Sequence, residues 1–243
     1  GLLMSNYSYL WGIMLWEYYG YTGDTAFVRE MFPYVLKNLE GNKNDDFEAV
    51  GAYNAAIQCA ELLGRKQEVR SLKVSRSQIT EKFNQRWNDS LGGYKSLRSK
   101  GKPEIDLTAT FKSVLFDVPE KENRKRAIET LIAKKDKIRD HLQPVNTMLF
   151  LEALEKAGLE EEIIPVIRHK YAPMLRDNTT TVWEHFPGIF DEGEEWDSRS
   201  RVHGWSAIPL YFLNRLVLGI QTEKPGGRKY IVSPRPNGLR WAA

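Results

Sequence analysis

Ala60–Val69 reads A-E-L-L-G-R-K-Q-E-V, and Ala153–Ile163 reads A-L-E-K-A-G-L-E-E-E-I. In both, a glycine stands where an aliphatic helical pattern stops. A few residues later an acid followed by an aliphatic residue opens a new pattern. Glycine accepts the left-handed backbone that ends a helix, and an acid favours the next helix N-terminus. Each stretch is therefore the corner of a helical hairpin. Hairpins in series must stack to bury their apolar faces, as a solenoid or a closed toroid. Their spacing is irregular, which argues against a short-repeat solenoid of the roughly 34-residue kind.

Helical periodicity extends outward from these corners. Ser5–Tyr19 carries Leu10, Trp11, Met14, Leu15 and Tyr18 on one expected face, with Gly20 as its stop. Asp24 is placed to cap Thr25–Leu39, which Pro33 should interrupt or kink. Phe47–Leu63 and Lys66–Trp87 follow, the second with Val69, Leu72, Val74, Ile79 and Phe83 inward. Asn88–Lys95 reads as a turn with a short strand. Ile105–Phe116, Lys121–Lys135, Val145–Ala157, Glu160–Met174 and Gly204–Leu218 complete the helices. Beyond residue 220 proline and glycine punctuate Lys229–Val232 and Leu239–Ala242, which read as strands. The expected organisation is a helical domain over 1–220 and a β tail over 221–243.

Composition narrows the function. The 243 residues hold 42% apolar and 28% charged residues, enough for a large core in a globular protein. The net charge of +3 comes from 35 basic and 32 acidic residues, too even for a nucleic-acid footprint. The basic runs at 121–126 and 134–137 are interrupted by acids and read as solvated helix faces. No apolar run is long enough to span a membrane. The single cysteine, Cys59, lies in A-A-I-Q-C-A-E-L-L and reads as a buried small hydrophobe. Compartment is not legible from these totals.

Chemistry-bearing residues concentrate near the C-terminal end. Thr179–Phe186 is T-T-T-V-W-E-H-F, and R-S-R-V-H-G-W-S-A follows at 199–207. Glu184 lies between Trp183 and His185. Trp183, Trp196 and Trp205 are costly to expose, and their flat faces suit sugar C–H groups. Arg201 and His203 offer donors for hydroxyls. An apolar platform with a few convergent polar groups is what a sugar site needs. The acidic run D-E-G-E-E-W-D at 191–197 reads as a mobile loop. His169 is expected to be structural or exposed, while His141 could face a pocket. The four histidines lack metal-ligand spacing, no H-E-x-x-H or C-x-x-C occurs, and neither metal nor cofactor is expected.

These motifs resemble a known family. T-T-T-V-W-E-H-F, then S-R-S-R-V-H-G-W-S-A-I-P-L-Y-F-L-N-R-L-V-L-G-I at 198–220 and P-G-G-R-K-Y-I-V-S-P at 225–234, are similar to the C-terminal half of the family 78 glycoside hydrolases, the α-L-rhamnosidases. Y-L-W-G-I-M-L-W-E-Y-Y-G-Y-T-G-D at 9–24 and L-E-A-L-E-K-A-G at 151–158 also look like that family. The resemblance implies an all-α fold, an (α/α)6 toroid of six hairpins, inverting chemistry and terminal α-L-rhamnose as substrate group. By motif, Glu184 matches the general base and His203 a residue that contacts the sugar. Trp183 and Trp205 would line the pocket, with Arg201 beside them.

The sequence departs from the family at one point. The family's general acid lies in an acidic, arginine-bearing segment of the D-x-x-x-R-D-E kind, and none occurs here. A full toroid needs twelve helices, and about eight or nine are legible. The connection at Gly41–Phe47 is short, and the chain opens already inside an amphipathic pattern. The expectation is an incomplete ring that carries the base but not the acid. Alone it should be inactive or nearly so, and exposed helix faces would favour self-association. Another six-hairpin glycosidase and a non-catalytic helical carbohydrate-binding scaffold are the alternatives.

Overall fold

The computed structural model describes residues 5–41, 46–176, 179–186, 200–235 and 239. The described residues are mainly helical, with two small two-stranded sheets among them. It divides into two compact units, one of 1–124 with 222–231 and one of 125–221 with 232–243.

In the first unit, α1 (Ser5–Thr22), α2 (Thr25–Gly41), α3 (Glu48–Leu62) and α4 (Lys66–Asn84) form two hairpins. The corner between α3 and α4 is as expected. Gly64 has φ +70°. Arg65 N–H donates back to Ala60 O at 2.8 Å and Gly64 N–H to Glu61 O at 3.1 Å, which satisfies the last carbonyls of α3. Asp24 caps α2 through Phe27 N–H at 2.9 Å. Gly20 does not stop α1. The helix runs on until Gly23, whose φ is +68°. Pro33 lies inside α2 without ending it.

Two apolar-face expectations are corrected. Met14 and Val74 are 60% and 58% exposed, and Tyr18 is also exposed. The contact face of α1 instead runs through Tyr9, Gly12 and Leu15. Gly12 faces Val35 of α2, where even a Cβ would meet Val35 Cγ1 at 3.4 Å, an ordinary packing contact. α1 carries aromatic or aliphatic residues on every side, so its sequence does not single out that face. The core holds Val28, Phe32, Val35 and Leu39 of α2 against alanines of α3, with Cys59 buried among them as expected. α4 ends before Trp87, which instead opens β1 (Trp87–Asn88), paired antiparallel with β2 (Gly93–Tyr94). α5 (Leu107–Leu115) follows, capped by Asp106, which accepts from Ala109 N–H at 2.9 Å.

The second unit holds most of α6 (Lys121–His141), then α7 (Pro144–Lys156) and α8 (Ile163–Arg176). Gly158, at φ +77°, repeats the corner of α3 and α4, and Leu159 N–H reaches Leu154 O at 2.9 Å. The expected helix Gly204–Leu218 is broken into a 3-10 turn, the short α9 (Ile208–Phe212) and a π turn at Leu213–Val217. β3 (Ile220–Lys224) and β4 (Lys229–Val232) pair as a hairpin, of which residues 222–231 belong to the first unit. β4 was expected and β3 was not. The strand expected at Leu239–Ala242 lies outside the described residues except for Leu239.

Candidate active site

Three threonines and a valine favour extended backbone over Thr179–Val182. This segment pairs with the later one. Glu184 N–H donates to Ser200 O at 2.8 Å, and His203 N–H donates to Val182 O at 2.9 Å. The Thr181 hydroxyl also donates to Arg201 O. Residues 16 to 21 positions apart in sequence are thereby locked side by side.

The turn after His203 adds two further ties. The Ser206 hydroxyl donates to Trp183 O at 2.5 Å, and the Trp205 indole N–H donates to Glu184 O at 3.2 Å. On the other flank, Phe186 N–H donates to Gln143 Oε1 at 2.9 Å. The backbone around Glu184 is therefore held from both sides. Ser200, Ser206 and Gln143 were not singled out from the sequence. The Gln143 and Ser206 side chains bond to backbone atoms distant in the chain and Ser200 does so through its own carbonyl, its hydroxyl staying with Val202; no local motif signals these ties.

The side chains take different places. Glu184 is mostly covered, with a fifth of its side chain exposed, and its Oε1 lies 3.8 Å from His185 Nε2. The His203 and Trp205 rings are in contact, their centroids 4.0 Å apart and tilted by 48°. Both are partly exposed. Arg201 is exposed and holds its guanidinium 5.2 Å from the centre of the Trp183 ring. Trp183 itself is 2% exposed, with its indole N–H on Thr179 Oγ1 at 3.2 Å. It forms the floor beneath the segment. A cavity of about 680 Å3 adjoins His203, walled by Tyr171, Met174, Leu175, Val182 and Val202.

Trp196 and the acidic run 191–197 lie outside the described residues. His169 is half exposed on α8 and meets Asp140 at 3.1 Å, and His141 is exposed at the end of α6. Among the described residues no group of three His, Cys, Asp or Glu could hold a metal ion. None of their helices is long and apolar enough to cross a membrane. The arrangement offers a carboxylate, an imidazole, an indole and a guanidinium along one paired segment. That set can orient a polyhydroxylated ligand and take up a proton.

Helical hairpins in series, α1 with α2, α3 with α4 and α7 with α8, define an all-α domain of the hairpin type. The chain belongs to the family described as the bacterial alpha-L-rhamnosidase 6 hairpin glycosidase domain, whose model matches residues 48–217. Among solved structures, it is similar to the family 78 rhamnosidase of Bacillus sp. GL1, with TM-score 0.79 and 22% identity over 96% of this chain and 28% of that one. It is similar to the Streptomyces avermitilis alpha-L-rhamnosidase complexed with L-rhamnose, with TM-score 0.72 and 18% identity over 93% of this chain and 24% of that one. The Klebsiella oxytoca rhamnosidase with rhamnose bound gives TM-score 0.71 and 19% identity over 87% and 47%. This chain thus spans well under half the length of the first two. No curated protein matches its sequence.

Proposed function

We propose that this chain carries the general base and part of the sugar pocket of an inverting α-L-rhamnosidase. Glu184 takes the proton from the water that attacks the anomeric carbon. An inverting site leaves room for that water by holding its two carboxyl groups roughly 6.5–9.5 Å apart. His203 and Arg201 bind hydroxyls, Trp205 offers its face to the ring, and Trp183 supports the segment from below. The observation that supports this reading is the pairing of Val182–Glu184 with Ser200–His203. It brings the carboxylate-bearing segment against the one that carries the imidazole and the indole. Rhamnose in the Streptomyces and Klebsiella structures supports the choice of sugar.

The general acid is not among this chain's motifs, so leaving-group protonation is missing and turnover by the chain alone is slow. Calorimetric titration with L-rhamnose tests the site directly. Wild type and Glu184→Gln should bind within a few-fold of each other, while His203→Ala should bind at least tenfold more weakly. Any hydrolysis of an aryl α-L-rhamnoside should vanish in Glu184→Gln. Absence of rhamnose binding by wild type, or binding of other terminal sugars instead, would sink the assignment.

A further inference from the structure

A buried lysine stands against the same segment. Lys170 on α8 is 5% exposed, and its ammonium lies 4.6 Å from the centre of the Phe186 ring. Tyr171 meets that ring edge-on, with centroids 5.0 Å apart at 84°. Phe186 is 1% exposed, and its N–H is held by Gln143. Among the described residues the Lys170 ammonium makes no hydrogen bond or ion pair. An aromatic face is a weak partner for a charge taken out of water. What the cation does touch is the residue two places beyond Glu184.

We infer that Lys170 is a positioning residue for Glu184: its ammonium pins the Phe186 ring and, with the Gln143 amide, fixes the backbone that carries the carboxylate. The inference rests on the reading of Glu184 as the base. Burial pushes the Lys170 amine down to about 8, with Asp140 opposing and Arg139 adding to the shift. The clamp therefore loses its charge on the alkaline side of neutrality. The titratable and charged groups on the surrounding elements are Arg139 and Asp140 on α6, His169 and Tyr171 on α8, and Glu184 and His185 on the segment itself.

The test is nuclear magnetic resonance of the full chain with nitrogen-labelled tryptophan, because Trp205 donates its indole N–H to Glu184 O. In wild type that resonance should shift with a midpoint near pH 8. The Trp87 indole, bonded to Asp89 in the first unit, should not move with it. Lys170→Met should abolish the step, and Lys170→Arg, charged throughout, should remove it from the range below pH 10. At pH 7 Lys170→Met should weaken L-rhamnose binding three- to tenfold, because the same backbone carries the Glu184 carbonyl that holds the Trp205 indole, and Lys170→Arg should restore most of it. A wild-type resonance without the step, or a step that persists in Lys170→Met, overturns the inference. A step as expected without sugar binding in any variant keeps Lys170's hold on the segment and overturns only the sugar-site reading. Should Lys170→Met fail to fold, wild type against Lys170→Arg decides alone.

Discussion

Ser206 holds Trp183 in place through its hydroxyl, which donates to the tryptophan's backbone carbonyl at 2.5 Å. Both residues are buried, at 0% and 2% exposure. Ser206→Ala leaves that carbonyl in the interior without its donor. The cost should be about 1–3 kcal/mol, the desolvation penalty of an unsatisfied polar group. Trp205→Phe removes the neighbouring bond to Glu184 O at a partly exposed position, where water can replace the donor. It should cost less stability, and its main effect should fall on carbohydrate affinity. Urea denaturation of both variants, with sugar titrations alongside, checks the order.

The hairpin corners were legible because their determinants are local. Gly64 and Gly158 each end a helix within a few residues of the aliphatic run they stop, so a short window contains the whole cause. Glu184, His203 and Trp205 stood out by residue type. What holds them was not legible. Gln143 lies 43 positions from Phe186, and Ser206 lies 23 from Trp183. Those bonds exist only once the chain has folded back. The face of α1 misled for a related reason: when most sides are apolar, the partner helix chooses the buried one. The break of the last helix after Phe212 has no proline or glycine at the break itself to announce it.

Glu48 and Lys112 form a buried ion pair, with Nζ to Oε1 at 2.5 Å and side-chain exposures of 3% and 12%. Glu48 Oε2 is buried without a hydrogen bond among the described residues. Lys112→Met strands the carboxylate in the interior and should cost about 3 kcal/mol or more. The double change Glu48→Met with Lys112→Met should recover most of that loss, because a buried pair contributes little beyond an apolar pair of similar size. Chemical denaturation of the two singles and the double completes the cycle. A double variant no more stable than Lys112→Met would contradict the account.

Cys59 is 1% exposed, and burial pushes its thiol up to about 11. The thiolate is the reactive form, so both access and ionisation protect this cysteine. At pH 8 the native chain should leave an aromatic disulfide reagent unreacted over a period in which urea-unfolded chain releases one equivalent. Rapid labelling of the native chain would place Cys59 nearer solvent than the core of the first unit allows.

Lys170 also links stability to pH, with a sign opposite to that of a stabilising ion pair. Its ordinary value of 10.5 falls to about 8 in the folded chain. The unfolded chain therefore binds the proton more tightly than the folded one. Below pH 8 both states carry the charge, and the fold bears the full cost of burying it. As pH rises from about 8 to about 10.5 the folded chain sheds the proton first, and stability grows. The gain is bounded at about 3.4 kcal/mol, the whole shift at roughly 1.36 kcal/mol per unit. Lys170→Met should raise stability at pH 7 and flatten this rise, measured as the difference between variant and wild type so that other titrating groups cancel. Such a variant would be more stable yet bind rhamnose less well. A lysine kept only for packing would show the reverse, a loss of stability on substitution with sugar affinity unchanged.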